Sequence, residues 1–118
     1  MQQRILIPIL DNEIAPRFDL ATDVLIISLV WVDGKIVDRE DKVVVLDHPS
    51  PEAVCRLVIV HTVNTVICGG IEGEYYDFLV WKGAEVIDDV VGSTADAMSV
   101  LLAGELESGM ILQRGDSW

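Results

Sequence analysis

Short apolar runs alternate with turn-forming clusters along the chain, and the period of each run names an element. Ile5 to Leu10 is an apolar run interrupted by Pro8. That predicts a strand at a sheet edge or at the strand's exit, because proline cannot donate to a ladder. Asp11 to Asp23 reads as a long loop, with Phe18 set among turn residues as either a plug or a lid. Val24 to Val32 is β-rich, Asp33-Gly34 is a strong hairpin signal, and Lys35 to Val45 returns as a strand with charges at its middle.

From Ser50 onward the period changes. Ser50, Pro51 and Glu52 supply an N-cap, a proline at the first helical position and an acidic first turn. The predicted helix runs to about Val63, with Val54, Leu57, Val58 and His61 on one stripe and Asn64 placed to close it in the left-handed conformation. Thr65 to Cys68 is a short buried strand ending in Gly69-Gly70, Glu74 to Lys82 a helix stopped by Gly83, and Glu85 to Ile87 a last strand. Ser93-Thr94-Ala95-Asp96 has capping-box spacing and opens a helix ending near Gly104. The order β-β-β-α-β-α-β-α predicts an α/β fold in which an antiparallel hairpin joins helix-linked parallel strands in one mixed sheet. The pattern fades from Glu105 onward; the domain is assigned to residues 1–106 and residues 107–118 to a tail, its Trp118 unexplained.

Composition narrows the function classes. With 118 residues, 51% of them hydrophobic, the chain has room for one core and no second domain. Eight Lys and Arg against 20 Asp and Glu give a net charge of −12, which repels a phosphate backbone and predicts neither nucleic acid nor anionic membrane as a partner. The longest apolar run, Val24 to Val32, is broken by Ser28 and too short to span a bilayer, so the chain reads as cytosolic. Trp31, Trp81 and the hairpin offer apolar surface for a homodimer.

Candidate chemistry gathers at Val66-Ile67-Cys68-Gly69-Gly70-Ile71-Glu72-Gly73, a strand running into a glycine turn that opens a helix. Glycines there admit a ligand close to the backbone, and helix N–H groups favour an anion, although Glu72 and Glu74 place negative charge in the same spot. Cys68 stands at the mouth of this turn as a soft-metal ligand or a buried structural cysteine; Cys55 is assigned to packing. His48, before Pro49, is a second candidate ligand, and His61, on the apolar stripe, reads as a core or helix-end residue rather than a ligand. Asp11, Asp88 and Asp89 fall at strand ends, either around a hard cation or as solvated carboxylates. Neither a GxSxG elbow nor a Cys-His-Asn set is present, so no enzyme is expected, and a nuclease rests on fold class alone.

Three segments together give the chain a resemblance to the dinitrogenase iron–molybdenum cofactor biosynthesis family, the NifX-like proteins and the C-terminal domain of NifB. They are Arg4-Ile5-Leu6-Ile7-Pro8 with Pro16-Arg17-Phe18, then Val66 to Ile71, then Glu85-Val86-Ile87 before Gly92 and Ala103-Gly104-Glu105-Leu106. The resemblance implies a ribonuclease-H-like, three-layer mixed α/β fold. It also implies a non-catalytic carrier or accessory protein for iron–molybdenum cofactor or a related iron–sulfur or molybdenum cluster, working with proteins that donate or accept the cluster. The implied pocket lies between Arg17, Phe18 and Asp19 and the Cys68-Gly69-Gly70-Ile71 turn. Where the family often has histidine, phenylalanine and glycine, this chain has Arg17, Phe18 and Asp19; where Gly-Pro-Arg is common, it has Glu72-Gly73-Glu74. Arg17 cannot coordinate a metal but can clamp an anion. The alternative is a protein-interaction or regulatory module that has kept the fold and lost the cluster.

Overall fold

The hairpin dictated by Asp33-Gly34 forms, with both residues at positive φ (52° and 76°) as a type I′ turn requires. A computed structural model of the protein describes residues 1–112. Its elements are β1 (Gln2–Leu10), β2 (Glu13–Ile14), β3 (Asp23–Val32), β4 (Lys35–Val45), α1 (Pro51–Val60), β5 (Thr65–Ile67), α2 (Gly73–Trp81), β6 (Glu85–Ile87) and α3 (Thr94–Leu102). The two-residue β2, inside the segment read as loop, is one strand more than the hydrophobic pattern supplies.

The sheet is mixed and six-stranded, in the order β4-β3-β1-β5-β6, with β2 also paired to β1. β1 to β3 and β3 to β4 are antiparallel; β1 to β5 and β5 to β6 are parallel. Alternation along the central strands sends successive side chains to opposite faces. Leu6, Val24, Ile26, Val66 and Val86 pack under α1 and α2, which contribute Val54, Cys55, Val58 and Leu79. Ile5, Ile7, Leu25, Ile27 and Leu29 pack on the other face with Ala97 and Met98 of α3. The result is one compact α/β domain with helices on both faces of its sheet. Among the described residues no helix is long and apolar enough to cross a membrane.

Pro8 does not mark an edge: β1 is the innermost strand. Met1 and Trp31 exchange both backbone hydrogen bonds, whereas Arg4 pairs with Asn64 on the opposite side, so the nitrogens of even-numbered residues of β1 face away from β3. β5 pairs with β1 only at Ile5 and Leu6. On that side β5 has ended and Pro8 faces Ala15, whose N–H donates to Pro8 O, so the bond formed there uses the carbonyl of Pro8 and not its nitrogen.

α1 opens as expected, with Ser50 Oγ accepting from the Ala53 N–H at 3.1 Å. It ends earlier than Val63, because Thr62 rather than Asn64 takes the left-handed conformation (φ 52°). The Thr62 N–H reaches Ile59 O and the Val63 N–H reaches Val58 O, a Schellman closure. Asn64 is engaged elsewhere: its Oδ1 accepts from the Arg4 N–H at 2.7 Å, its N–H donates to Arg4 O, and its carbonyl accepts from the Glu85 N–H. It ties the starts of three strands together. Beyond α3, Val91 and Ile111 form a bridge and Leu112 packs against the core on the α3 side. The rest of the assigned tail, residues 113–118 with Trp118, lies outside the described residues.

Candidate functional site

Parallel strands β5 and β6 end on the same side of the sheet, so the turns that follow them, Cys68-Gly69-Gly70 and Val91-Gly92, lie together at their carboxyl ends, where α/β sheets place ligands. β1 ends there too. The segment leaving β1 fills the space between β1 and β5. Ala15 N–H donates to Pro8 O (2.9 Å), Ile14 N–H to Gly92 O (3.0 Å), Gly70 N–H to Pro16 O (2.8 Å) and Phe18 N–H to Gly70 O (2.8 Å). Arg17 and Gly70 form a parallel bridge.

This stitching explains Gly69. A Cβ built there would lie 2.5 Å from both Ala15 O and Pro16 O, so a side chain has no room. At Gly70 the nearest atoms are at 3.5 and 3.8 Å, ordinary contact. Close backbone approach is what a glycine at this turn permits, and here the approaching backbone is the chain's own. No open pocket separates Arg17 and Phe18 from Gly70, because their backbones are hydrogen-bonded to one another.

Phe18 is the plug rather than the lid. Its ring is 1% exposed, packs in the core beneath α1 and α2, and stacks on Tyr75 with centroids 6.2 Å apart. Asp19 accepts from Arg17 Nε at 3.0 Å and from an Arg17 terminal nitrogen at 3.2 Å, a bidentate pair that neutralises the cation beside the turn. Ile71 is half-buried against the same core as Phe18.

Cys68 has no exposed surface. Its N–H donates to Ile87 O and its carbonyl accepts from the Val90 N–H. Burial, with Asp88 and Asp89 adding to it, pushes its thiol up to about 12, so it is protonated at neutral pH. Cys55, on the buried face of α1, is pushed up to about 11, chiefly by burial. His48 is exposed in the bend between β4 and α1, whereas Cys68 is sealed in the core. Cys68 and His48 are thus not brought together, and among the described residues no three His, Cys, Asp or Glu side chains converge on a metal-sized point. His61 caps the end of α1.

The open space lies beside the stitched segment. A cleft of about 470 Å³ is bordered by Glu13, Pro16, Gly69, Gly70, Asp89 and Gly92. A smaller one, about 200 Å³, borders Pro16, Arg17, Leu20 and Asp23 on the other side. Among the described residues the larger cleft carries two carboxylates and no cation, which disfavours an anion. Sequence reasoning did not name Glu13, and it named Pro16 and Gly92 only within the resembling segments, not as cleft residues. A glycine directly before the Ser93 cap, after a strand parallel to β5, was the signal that could have found Gly92.

No family model matches the sequence, and no curated protein matches it either. Solved structures do resemble it. The protein PH0822 superposes with a TM-score of 0.71 at 17% identity, covering 90% of this chain and 94% of that one. A protein of Methanocaldococcus jannaschii provisionally called a dinitrogenase gives 0.69 at 23% identity, covering 91% and 94%. A Thermotoga protein provisionally called NifB, of the DUF35 family, gives 0.62 at 20% identity, covering 96% and 99%. Two of the three carry nitrogenase-associated names, and the likeness to them is one of fold.

Proposed function

We propose that this protein is a non-enzymatic accessory protein of metal–sulfur cluster handling, built on a ribonuclease-H-like fold related to the dinitrogenase cofactor biosynthesis proteins. The observation that carries the reading is the whole-chain likeness to structures named for dinitrogenase and NifB, over more than 90% of both partners in each comparison. It is supported by the convergence at one end of the sheet of Pro8, Pro16 to Phe18 and Cys68 to Ile71, parts of the segments that resemble that family. Its partners are the proteins that donate or accept the cluster, and its cargo is iron–molybdenum cofactor or a related iron–sulfur or molybdenum cluster.

The side chains present do not fit a cluster held by cysteine. Cys68 is sealed and protonated, Arg17 is already paired with Asp19, and the adjoining cleft carries Glu13 and Asp89. This chemistry favours a second reading, a protein-interaction or regulatory module that acts on donor or acceptor proteins without holding the cluster itself.

Anaerobic reconstitution with iron and sulfide, and with molybdate and sulfide, separates the two. A stoichiometric chromophore with bound metal establishes the carrier, and a Cys68→Ala variant that keeps it removes the thiol from the site. Colourless, metal-free protein under every loading condition overturns the carrier and leaves the interaction module. Magnesium-dependent cleavage of an RNA–DNA hybrid would overturn the non-enzymatic reading altogether.

A further inference from the structure

β4 is an edge strand of 11 residues, and every one except the half-buried Val44 is exposed. Charges on an edge ordinarily guard it against pairing. Here their order does the reverse. Read antiparallel against a second copy of itself about Glu40, the strand sets Asp38 opposite Lys42 and Arg39 opposite Asp41, each twice, with exposed Val37 opposite exposed Val43 on either side. Moving the centre to Arg39 opposes Asp38 to Glu40, and moving it to Asp41 keeps one opposite-charge pair, Glu40 with Lys42, but leaves Arg39 facing Val43, so the register about Glu40 carries the fullest charge match of the three.

The backbone is turned correctly for that register. Residues of β3 with odd numbers face β1, as the Met1 and Trp31 exchange sets, so the even ones face β4. Ser28 pairs with Glu40, Val30 with Asp38 and Ile26 with Lys42, which directs those β4 residues inward and leaves the N–H and C=O of Arg39, Asp41 and Val43 pointing out of the sheet. Pairing about Glu40 makes Arg39 and Asp41 a hydrogen-bonded pair across the two copies. Within one chain Arg39 already reaches Asp41 at 2.8 and 3.0 Å, so both side chains are held on the face where the second copy's Asp41 and Arg39 would meet them. The bulge at Val30 and Trp31 leaves Val37 without a partner in β3 and bounds the regular segment.

We propose that β4 is a self-recognition edge: two copies of this chain pair antiparallel through Asp38 to Lys42 and join their sheets into one. The opposed Glu40 side chains at the axis weaken the pairing and keep it reversible. This inference is independent of what the protein carries.

Sedimentation of the full chain across a concentration series tests it. A monomer–dimer equilibrium that tightens in Glu40→Gln is expected, with amide protection of Arg39, Asp41 and Val43 rising with protein concentration. Arg39→Asp and Asp41→Arg should each be monomeric, since each sets like charges across the axis, yet the two variants mixed should form a heterodimer because acidic positions then face basic ones. Wild-type protein that stays monomeric at every concentration overturns the proposal, as do single variants that dimerise like the wild type or folded variants that fail to associate on mixing.

Discussion

The crossing of residues 15–18 over Gly69 and the outer edge of β4 both expose a row of backbone donors and acceptors, and the two rows are treated in opposite ways. At the crossing, the chain's own loop takes the groups that β5 and β1 leave unpaired, removes the side chain at position 69, and drives Phe18 into the core. At β4 the outward groups of Arg39, Asp41 and Val43 are left to water or to another molecule, and charge order decides which. A sheet end that looks like a ligand site can thus be consumed by folding, while recognition capacity remains at an edge that carries no site motif.

The contrast can be broken at its strongest point first. Phe18→Ala is expected to cost about 4 kcal/mol in urea denaturation, because a ring 1% exposed leaves a cavity between the sheet and α2. A loss below about 1 kcal/mol would return Phe18 to the role of a lid. Next comes Gly69→Ala, with an expected cost of about 3 kcal/mol, since its Cβ meets backbone oxygens that belong to hydrogen-bonded segments.

The sealed thiol supplies a pH test. Cys68 is raised from 9.0 to about 12 in the folded chain. Below pH 9 both states hold the proton and this contribution is intact; above it the unfolded chain ionises first. Stability should fall by about 1.4 kcal/mol per pH unit from pH 9 and level off near pH 12, with Cys55 adding its own decline up to pH 11. Cys68→Ala should remove about one proton from that slope. A neutral-pH reaction of Cys68 with thiol reagents in the folded protein would contradict the sealed crossing.

At the small end, Gly70→Ala and Val43→Thr should each change stability by less than about 1 kcal/mol, the first because its Cβ has ordinary contacts and the second because Val43 is 52% exposed. Equal losses at Gly69 and Gly70 would erase the distinction between them.

Local rules made much of this molecule legible. Asp33-Gly34, the Ser50 cap with Pro51, the Ser93 cap with Asp96, and the stop at Gly83 all act through residues within one turn of each other, so they can be read from order alone. The helix end at Thr62 and the inner position of β1 could not be read so. Asn64 was drawn to Arg4, 60 residues away in sequence, and Pro8 was tolerated because β5 had ended, both facts of strand packing. Cys68, Gly69 and Gly70 were picked out by their residue types, which mark close approach without saying what approaches. Which backbone arrives is a long-range pairing. By itself, then, the sequence determined the alternation of strands and helices, the acidic surface and the self-matching charges of β4, because these depend on identity and spacing. Only the tertiary structure decided that the loop after β1 seals the glycine turn and that β4 lies at the edge, because both depend on which strands become neighbours.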